Sequence, residues 1–176
     1  MKHKGMTLVE LAAVLAVVGL LAVLAIPSLQ SSVERQRRQV VAQELSSALR
    51  TARLEAITRH TPVVVRAFHA GWQWGWVIML DIRGLRDGRG TVLRRHALDG
   101  TTPIVGNQWL RTEVRFDSFG APSGTLGQSN IGSLFLCDPH KPLMRLRIAL
   151  DWVGRTRLTD QLDRGTADAC ATQFRR

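Results

Sequence analysis

Along this chain the hydrophobic pattern changes character twice. From Leu11 to Ile26 no side chain is polar, and Leu8 and Val9 extend the block towards the N-terminus. With Met6 and Leu29 included, the stretch approaches the ~20 residues that an α-helix needs to cross a bilayer. After Pro27 the chain turns polar but keeps a helical period. Val33, Val40, Val41, Leu45, Ala48, Leu49, Ala52 and Ala56 recur at three- and four-residue steps, with Arg, Gln and Glu between them. This spacing predicts an amphipathic helix that lays one face on a domain and stops at Thr61-Pro62. A helix continuous from Met6 to His60 would be roughly 80 Å long at ~1.5 Å per residue, so much of it would project from a membrane.

Beyond Pro62 the period becomes two. Strands are predicted at Val63–Phe68, Trp72–Ile82, Thr91–Leu98, Thr112–Phe116, Leu134–Cys137, Leu143–Leu150 and Val153–Thr159. Gly, Pro, Asp and Asn clusters separate them, the longest being Arg83-Gly84-Leu85-Arg86-Asp87-Gly88-Arg89-Gly90. There is no internal repeat and no low-complexity linker. The fold class expected is α+β, a long N-terminal helix packed against one antiparallel β domain of roughly 115 residues. Trp72, Trp74 and Trp76 alternate, which places them on one face of a strand; a row of this kind can stack unpaired bases, but sheet packing against the helix is its commoner use.

The ends of the apolar block say which way it would lie. Lys2 and Lys4 stand just before it, so the positive-inside rule keeps the N-terminus cytoplasmic and sends the remainder outward. A secretory signal peptide would end in a small-residue cleavage site, and Ile26-Pro27-Ser28-Leu29-Gln30 is a poor one. Glu10 is the anomaly. A carboxylate within a membrane span is costly and usually has a partner, unless it lies at the headgroups.

Lys4-Gly5 followed by Met6-Thr7-Leu8-Val9-Glu10-Leu11 resembles the type IV prepilin signature. The resemblance implies cleavage by a prepilin peptidase between Gly5 and Met6, with N-methylation of the new first residue. It makes Glu10 the assembly acid that pairs with the N-terminal amine of a neighbouring subunit, and Pro27 the helix-kinking proline. Met6 stands where phenylalanine is commoner. The organisation expected is a leader over 1–5, a transmembrane helix over 6–29, a helical stalk over 30–61, and an extracytoplasmic β domain over 62–176. Such a subunit sits in the inner membrane with its domain in the periplasm until it enters a pilus or pseudopilus.

The β region is similar to the FimT/GspH group of minor pilins and pseudopilins. The residues that carry this are Gly75-Trp76-Val77-Ile78 leading to Asp81, the Gly-rich turn with Leu93-Arg94, Phe116-Asp117-Ser118-Phe119-Gly120, Leu136-Cys137-Asp138, and Gly154-Arg155-Thr156-Arg157-Leu158. Within this group GspH-type subunits are structural parts of the type II secretion pseudopilus. FimT-type subunits belong to type IV pili, and those active in natural transformation bind DNA through a Gly-Arg-x-Arg motif. Gly154, Arg155, Thr156 and Arg157 fit that motif.

Charge enters here because it bears on that choice. The formal net charge is +10 and the pI about 11.4, and loss of the two leader lysines would leave +8. A balance this basic points to an anionic partner, such as nucleic acid, anionic lipid or an acidic protein face, or else serves solubility. In a strand Arg155 and Arg157 would project from one face, and Arg145 and Arg147 repeat the arrangement one strand earlier. Lys141, Arg164, Arg175 and Arg176 lie near in sequence. Such a strip neutralises phosphates without reading bases, and the planar guanidinium fork suits the task. The competing expectation is that these arginines pair with Asp151, Asp160, Asp163 and Asp168. Four acids against eight Lys or Arg residues from 141 onward leave half the positive charge without a local partner.

Little else suggests chemistry. His60, His69, His96 and His140 lack metal-ligand spacing, and no nucleophile elbow, P-loop or carboxylate pair is present. No cofactor and no enzymatic activity are expected. Cys137 and Cys170 are too few for a disulfide framework and are not spaced for a metal. In an oxidising compartment one bridge between them is the natural reading, tying the basic tail to the sheet, and two buried thiols are the alternative.

Overall fold

The computed structural model describes residues 8–68, 71–81, 90–107, 109–124, 131–141, 143–161 and 169–171, and within its helix the side chains of 20–30 lie outside the description. Two compact units are present, Met1–Arg37 and Arg38–Arg176. One helix, α1 (Leu8–Arg59), provides the described part of the first unit and opens the second. In the first unit the apolar side chains from Leu8 to Val18 are exposed. Among the described residues no helix is long and apolar enough to cross a membrane.

In the second unit the helix buries Arg38, Val41, Ala42, Leu45, Ser46, Ala48, Leu49, Ala52 and Ala56. This stripe follows the 3.6-residue period, and its alanines let the helix approach the sheets closely. Val33 and Val40, which the sequence pattern placed on the packed face, are 57% and 48% exposed. They fall off the stripe, and Ala42 takes the place expected of Val40. The helix ends where His60 adopts a left-handed φ of 49°. The His60 amide donates to the Ile57 carbonyl and the Thr61 amide to that of Ala56, which is the Schellman pattern with histidine where glycine is usual. Pro62 then prevents continuation.

Among the described residues eight strands follow: β1 (Val63–Phe68), β2 (Gly71–Leu80), β3 (Val92–Ala97), β4 (Ile104–Gly106), β5 (Glu113–Phe116), β6 (Gly132–Cys137), β7 (Met144–Leu150) and β8 (Thr156–Thr159). They form two four-stranded antiparallel sheets, ordered β3-β2-β1-β5 and β4-β6-β7-β8. The helix stripe shares one core with the inner faces of both sheets, including Val63, Val65, Trp76, Ile78 and Phe116 from the first and Leu134, Leu136, Ile148 and Leu150 from the second. Truncating a fully buried leucine such as Leu45 here would cost about 2–5 kcal/mol.

The reverse faces carry smaller clusters. On the first sheet Val64, Val77 and Met79 cluster with Phe68, and the Arg95 guanidinium lies 5.6 Å from the Phe68 ring. Arg66 pairs with Glu113 across β1 and β5, and the buried Arg115 pairs with Asp81. On the second sheet Phe135, Cys137, Met144 and Cys170 form a small cluster around a disulfide between Cys137 and Cys170, whose α-carbons are 5.8 Å apart.

Three expectations need correction. The short strand β4 is unforeseen because three residues carry too little pattern to register. The last strand starts at Thr156 rather than Val153, since 151–154 form a turn. The three tryptophans do not share a face. Trp72 and Trp76 are buried, the Trp72 indole donating to the Leu110 carbonyl, whereas Trp74 is 47% exposed. Gly75 at φ 113° and a register shift in the β1–β2 ladder break the alternation between them. The Trp74 ring then lies over Gly100, where any side chain would collide with it.

Candidate nucleic-acid interface

The Gly154–Arg157 segment enters β8 from a tight turn whose geometry is set by one acid. Asp151 Oδ1 accepts the amides of Val153 (3.1 Å) and Arg155 (2.8 Å). The Gly154 amide donates to the Asp151 carbonyl, and the Asp151 amide to that of Arg155. Gly154 has φ 82° and is buried, and a Cβ there would stand 2.4 Å from the Gly120 carbonyl oxygen. Only glycine fits such a place.

What Gly154 approaches is a second turn of the same construction. Asp117 Oδ1 accepts the amides of Phe119 and Ala121, and the Gly120 amide donates to the Asp117 carbonyl. Gly120 has φ 79°, and its missing side chain makes room for Ile57 and Arg53 of the helix. Arg53 Nε donates to the Gly120 carbonyl at 3.0 Å, and its side chain also lies against Gly154. Two Asp-x-x-Gly turns are therefore clamped together by one helical arginine.

From this turn the strand alternates. Thr156 faces the helix, where the Ser46 hydroxyl donates to its Oγ1 at 3.2 Å, and Leu158 packs on the core. Arg157 is exposed on the other side, and Arg155, just before the strand, is exposed in the turn. Arg157 lies opposite Ala149 of β7 and Arg147 opposite Thr159, so Arg147 and Arg157 are diagonal neighbours on the outer face of the sheet. Arg145 is one step further along that face, and Lys141 is exposed in the turn before β7. Arg145, Arg147 and Arg157 thus line up along the outer face of β7 and β8, over ~13 Å at ~3.3 Å per residue, with Lys141 and Arg155 exposed in the flanking turns.

Within that strip the charges are not equally available. Arg155 Nε donates to Asp151 Oδ2 at 2.8 Å. Arg145 grips Asp138 Oδ2 through Nε and Nη2, so its acid is none of the four that the sequence offered. Arg147 donates to the Ser133 hydroxyl at 2.8 Å. Arg157 makes no ion pair or hydrogen bond among the described residues. Desolvation pushes the Asp151 carboxyl up, but the Arg155 amide and guanidinium with the Val153 amide outweigh it and hold the group below the usual carboxylate range. Desolvation likewise raises Asp138, and the His140 amide, Arg145 and Arg38 outweigh it, so this carboxyl too is lowered.

Arg164, Arg175, Arg176, Gly5 and Met6 lie outside the described residues, and Glu10 stands in the first turn of α1. Among the described residues no cluster of three or more His, Cys, Asp or Glu is placed to hold a metal. Sequence reading missed two features of the site. Trp152 and Phe119, on the tips of the clamped turns, are 70% and 84% exposed. Arg50 and Arg53 line a groove of about 440 Å³ with Leu54, Ile57, Gly154, Arg155 and Thr156. The repeated Asp-x-x-Gly spacing was the available signal for the turns, and nothing in the sequence announced that they touch.

A match to the profile of the family described as type II transport protein GspH covers residues 41–154. The chain belongs to the GspH family. It is a GspH/FimT-like minor type IV pilin or pseudopilin. Membership implies assembly with other pilin subunits into a pilus or pseudopilus, and the family's members are structural pilins rather than enzymes. The fold is similar to that of the type IV minor pilin FimU of Pseudomonas aeruginosa in two crystal forms. One is 21% identical, with a TM-score of 0.57 over 72% of this chain and 90% of that one. The other is 20% identical, with a TM-score of 0.54 over 69% of this chain and 91% of that one. A comparison with curated proteins returned no match. The matched family region ends at Gly154, so the two arginines of the motif lie just beyond it in this GspH-family chain.

Proposed function

We propose that this minor pilin binds DNA during natural transformation, by sequence-independent contacts between arginines of β7–β8 and backbone phosphates. The observation that carries the reading is the orientation of Gly154-Arg155-Thr156-Arg157. Thr156 is held by Ser46 of the helix, so Arg157 alternates outward diagonal to Arg147, while Arg155 stays exposed in the turn that opens the strand. Arg157 and Arg155 stand at the centre, with Arg145, Arg147, Lys141 and the C-terminal Arg164, Arg175 and Arg176 in support.

The rest of the reading follows the prepilin resemblance. Residues 1–5 are a leader removed by the prepilin peptidase after Gly5, and Met6 becomes the methylated N-terminus. Residues 6–29 anchor the subunit in the inner membrane, 30–61 form the stalk, and 62–176 form the periplasmic domain. Glu10 meets the N-terminal amine of a neighbouring pilin on assembly.

The test is binding of labelled DNA by the full chain in detergent micelles over a series of salt concentrations, beside an Arg155→Ala/Arg157→Ala variant. Binding that weakens steeply with salt and is abolished by the double change, with the melting temperature retained, supports the reading. No binding at low salt favours the alternative, a structural minor pseudopilin of a type II secretion system. The description of the matched family favours that alternative, and its arginines would then meet acidic faces of neighbouring subunits.

A further inference from the structure

The strip on the outer face accounts for Arg145, Arg147 and Arg157 but leaves the turn tips and the helix groove without a role. Trp152 and Phe119 are among the most exposed large apolar side chains of the second unit. Both belong to turns whose backbones are fixed by an aspartate and pressed together at Gly120 and Gly154. Rings carried on so constrained a backbone lose little freedom when something stacks on them. Beside them runs the groove lined by Arg50, Arg53 and Arg155 with Leu54 and Ile57, three cations of which Arg155 shares an exposed ion pair with Asp151. Such a surface suits an occupant that is anionic and at the same time presents flat apolar faces.

We propose that the twin turns and the adjoining groove form a binding site for single-stranded DNA. Unpaired bases stack on Trp152 and Phe119, while Arg50, Arg53 and Arg155 hold the phosphates between them. A duplex keeps its base faces stacked inside the helix and can use only the arginines. The site thus prefers single strands, and the strand continues from the turn tips onto Arg157 and Arg147. This inference rests on the DNA-binding reading and assigns it a strand form and a path.

The test uses the full chain in detergent micelles, titrated with labelled oligothymidylate and with a duplex of equal length at one salt concentration. Single strand is expected to bind more tightly than duplex. Trp152→Ala and Phe119→Ala should each lower single-strand affinity on the order of tenfold, leaving duplex affinity within about twofold, and Trp152→Phe should restore most of the loss. Both rings are exposed, so the melting temperature should hold. Single strand should also quench tryptophan emission, and Trp152→Phe should remove that quenching.

If duplex binds as well as single strand, or the ring variants bind single strand unchanged, the stacking site is wrong while the phosphate-binding reading stands. If neither form binds at low salt, the DNA reading falls and this site with it. Ring variants that no longer bind a neighbouring pilin subunit but keep their DNA affinity would assign the turns to assembly.

Discussion

Arg155 Nε lies 2.8 Å from Asp151 Oδ2, while the same carboxylate receives the Arg155 amide on its other oxygen. The motif arginine is held at both ends by the acid that builds its turn. The contact is exposed, with 72% of the Arg155 side chain accessible, so it is weak enough to exchange for a phosphate. Asp151→Asn keeps an oxygen for the turn amides but removes the competing charge. DNA affinity should then rise about two- to fivefold, the size of a surface ion pair. Asp151→Ala removes the acceptor as well and should cost about 1–2 kcal/mol of stability. Anisotropy titrations and melting curves on the two variants separate these effects.

The arginines of the strip should differ in what their removal does. Arg157 makes no described intramolecular contact, so Arg157→Ala should weaken DNA binding with stability unchanged. The salt slope should fall by about 0.9 for each phosphate that is no longer neutralised. Arg145→Ala leaves Asp138, whose side chain is 9% exposed, without its bidentate partner. That variant should lose about 1–3 kcal/mol of stability besides any affinity. Equal stability in the two would contradict the assigned contacts.

Gly154 has a structural task within the motif. Gly154→Ala meets both the φ of 82° and the 2.4 Å approach to the Gly120 carbonyl. A loss of about 1–3 kcal/mol is expected, read as a lower melting temperature. Gly120→Ala should behave alike because the two turns share the clamp of Arg53. Affinity measured well below the melting point should change less than in Arg157→Ala.

The disulfide closes a separation of 33 residues. Chain-entropy arguments give about 3–4 kcal/mol for a loop of that size. Reductant should lower the melting temperature of the native chain and leave a Cys137→Ser/Cys170→Ser variant unmoved.

Acid should destabilise the domain through Asp138 and Asp151. Both carboxyls lie below their ordinary value near ~3.9. As pH falls below that value the unfolded chain takes up protons first, so the stability these groups contribute is present at neutral pH. It is lost as pH falls through their lowered native pKa values. Melting temperatures recorded from neutral to strongly acidic pH should fall along this limb, and Asp138→Asn should make the fall shallower.

Much of the fold is legible along the chain because it rests on local periodicity. The helical stripe from Val41 to Ala56 and the strands β1, β2, β3, β5 and β7 stand within a residue or two of where the alternation puts them. Trp74 departs from its expected face because a single glycine with positive φ resets the alternation, and a pattern of apolar letters does not record φ. The acids nearest Arg145 in the C-terminal sequence are not its partners, since Asp138 reaches it across the β6–β7 turn.

By itself the sequence determined most of the elements and the excess of positive charge. Each of these is a local property of residue type and spacing. Only the tertiary structure decided which arginines are engaged, that Thr156 docks on Ser46, and that two distant Asp-x-x-Gly turns press together under Arg53 with their aromatic tips exposed. Those are contacts between segments far apart in the chain. They depend on how the helix and two sheets close around one core, which no local pattern encodes.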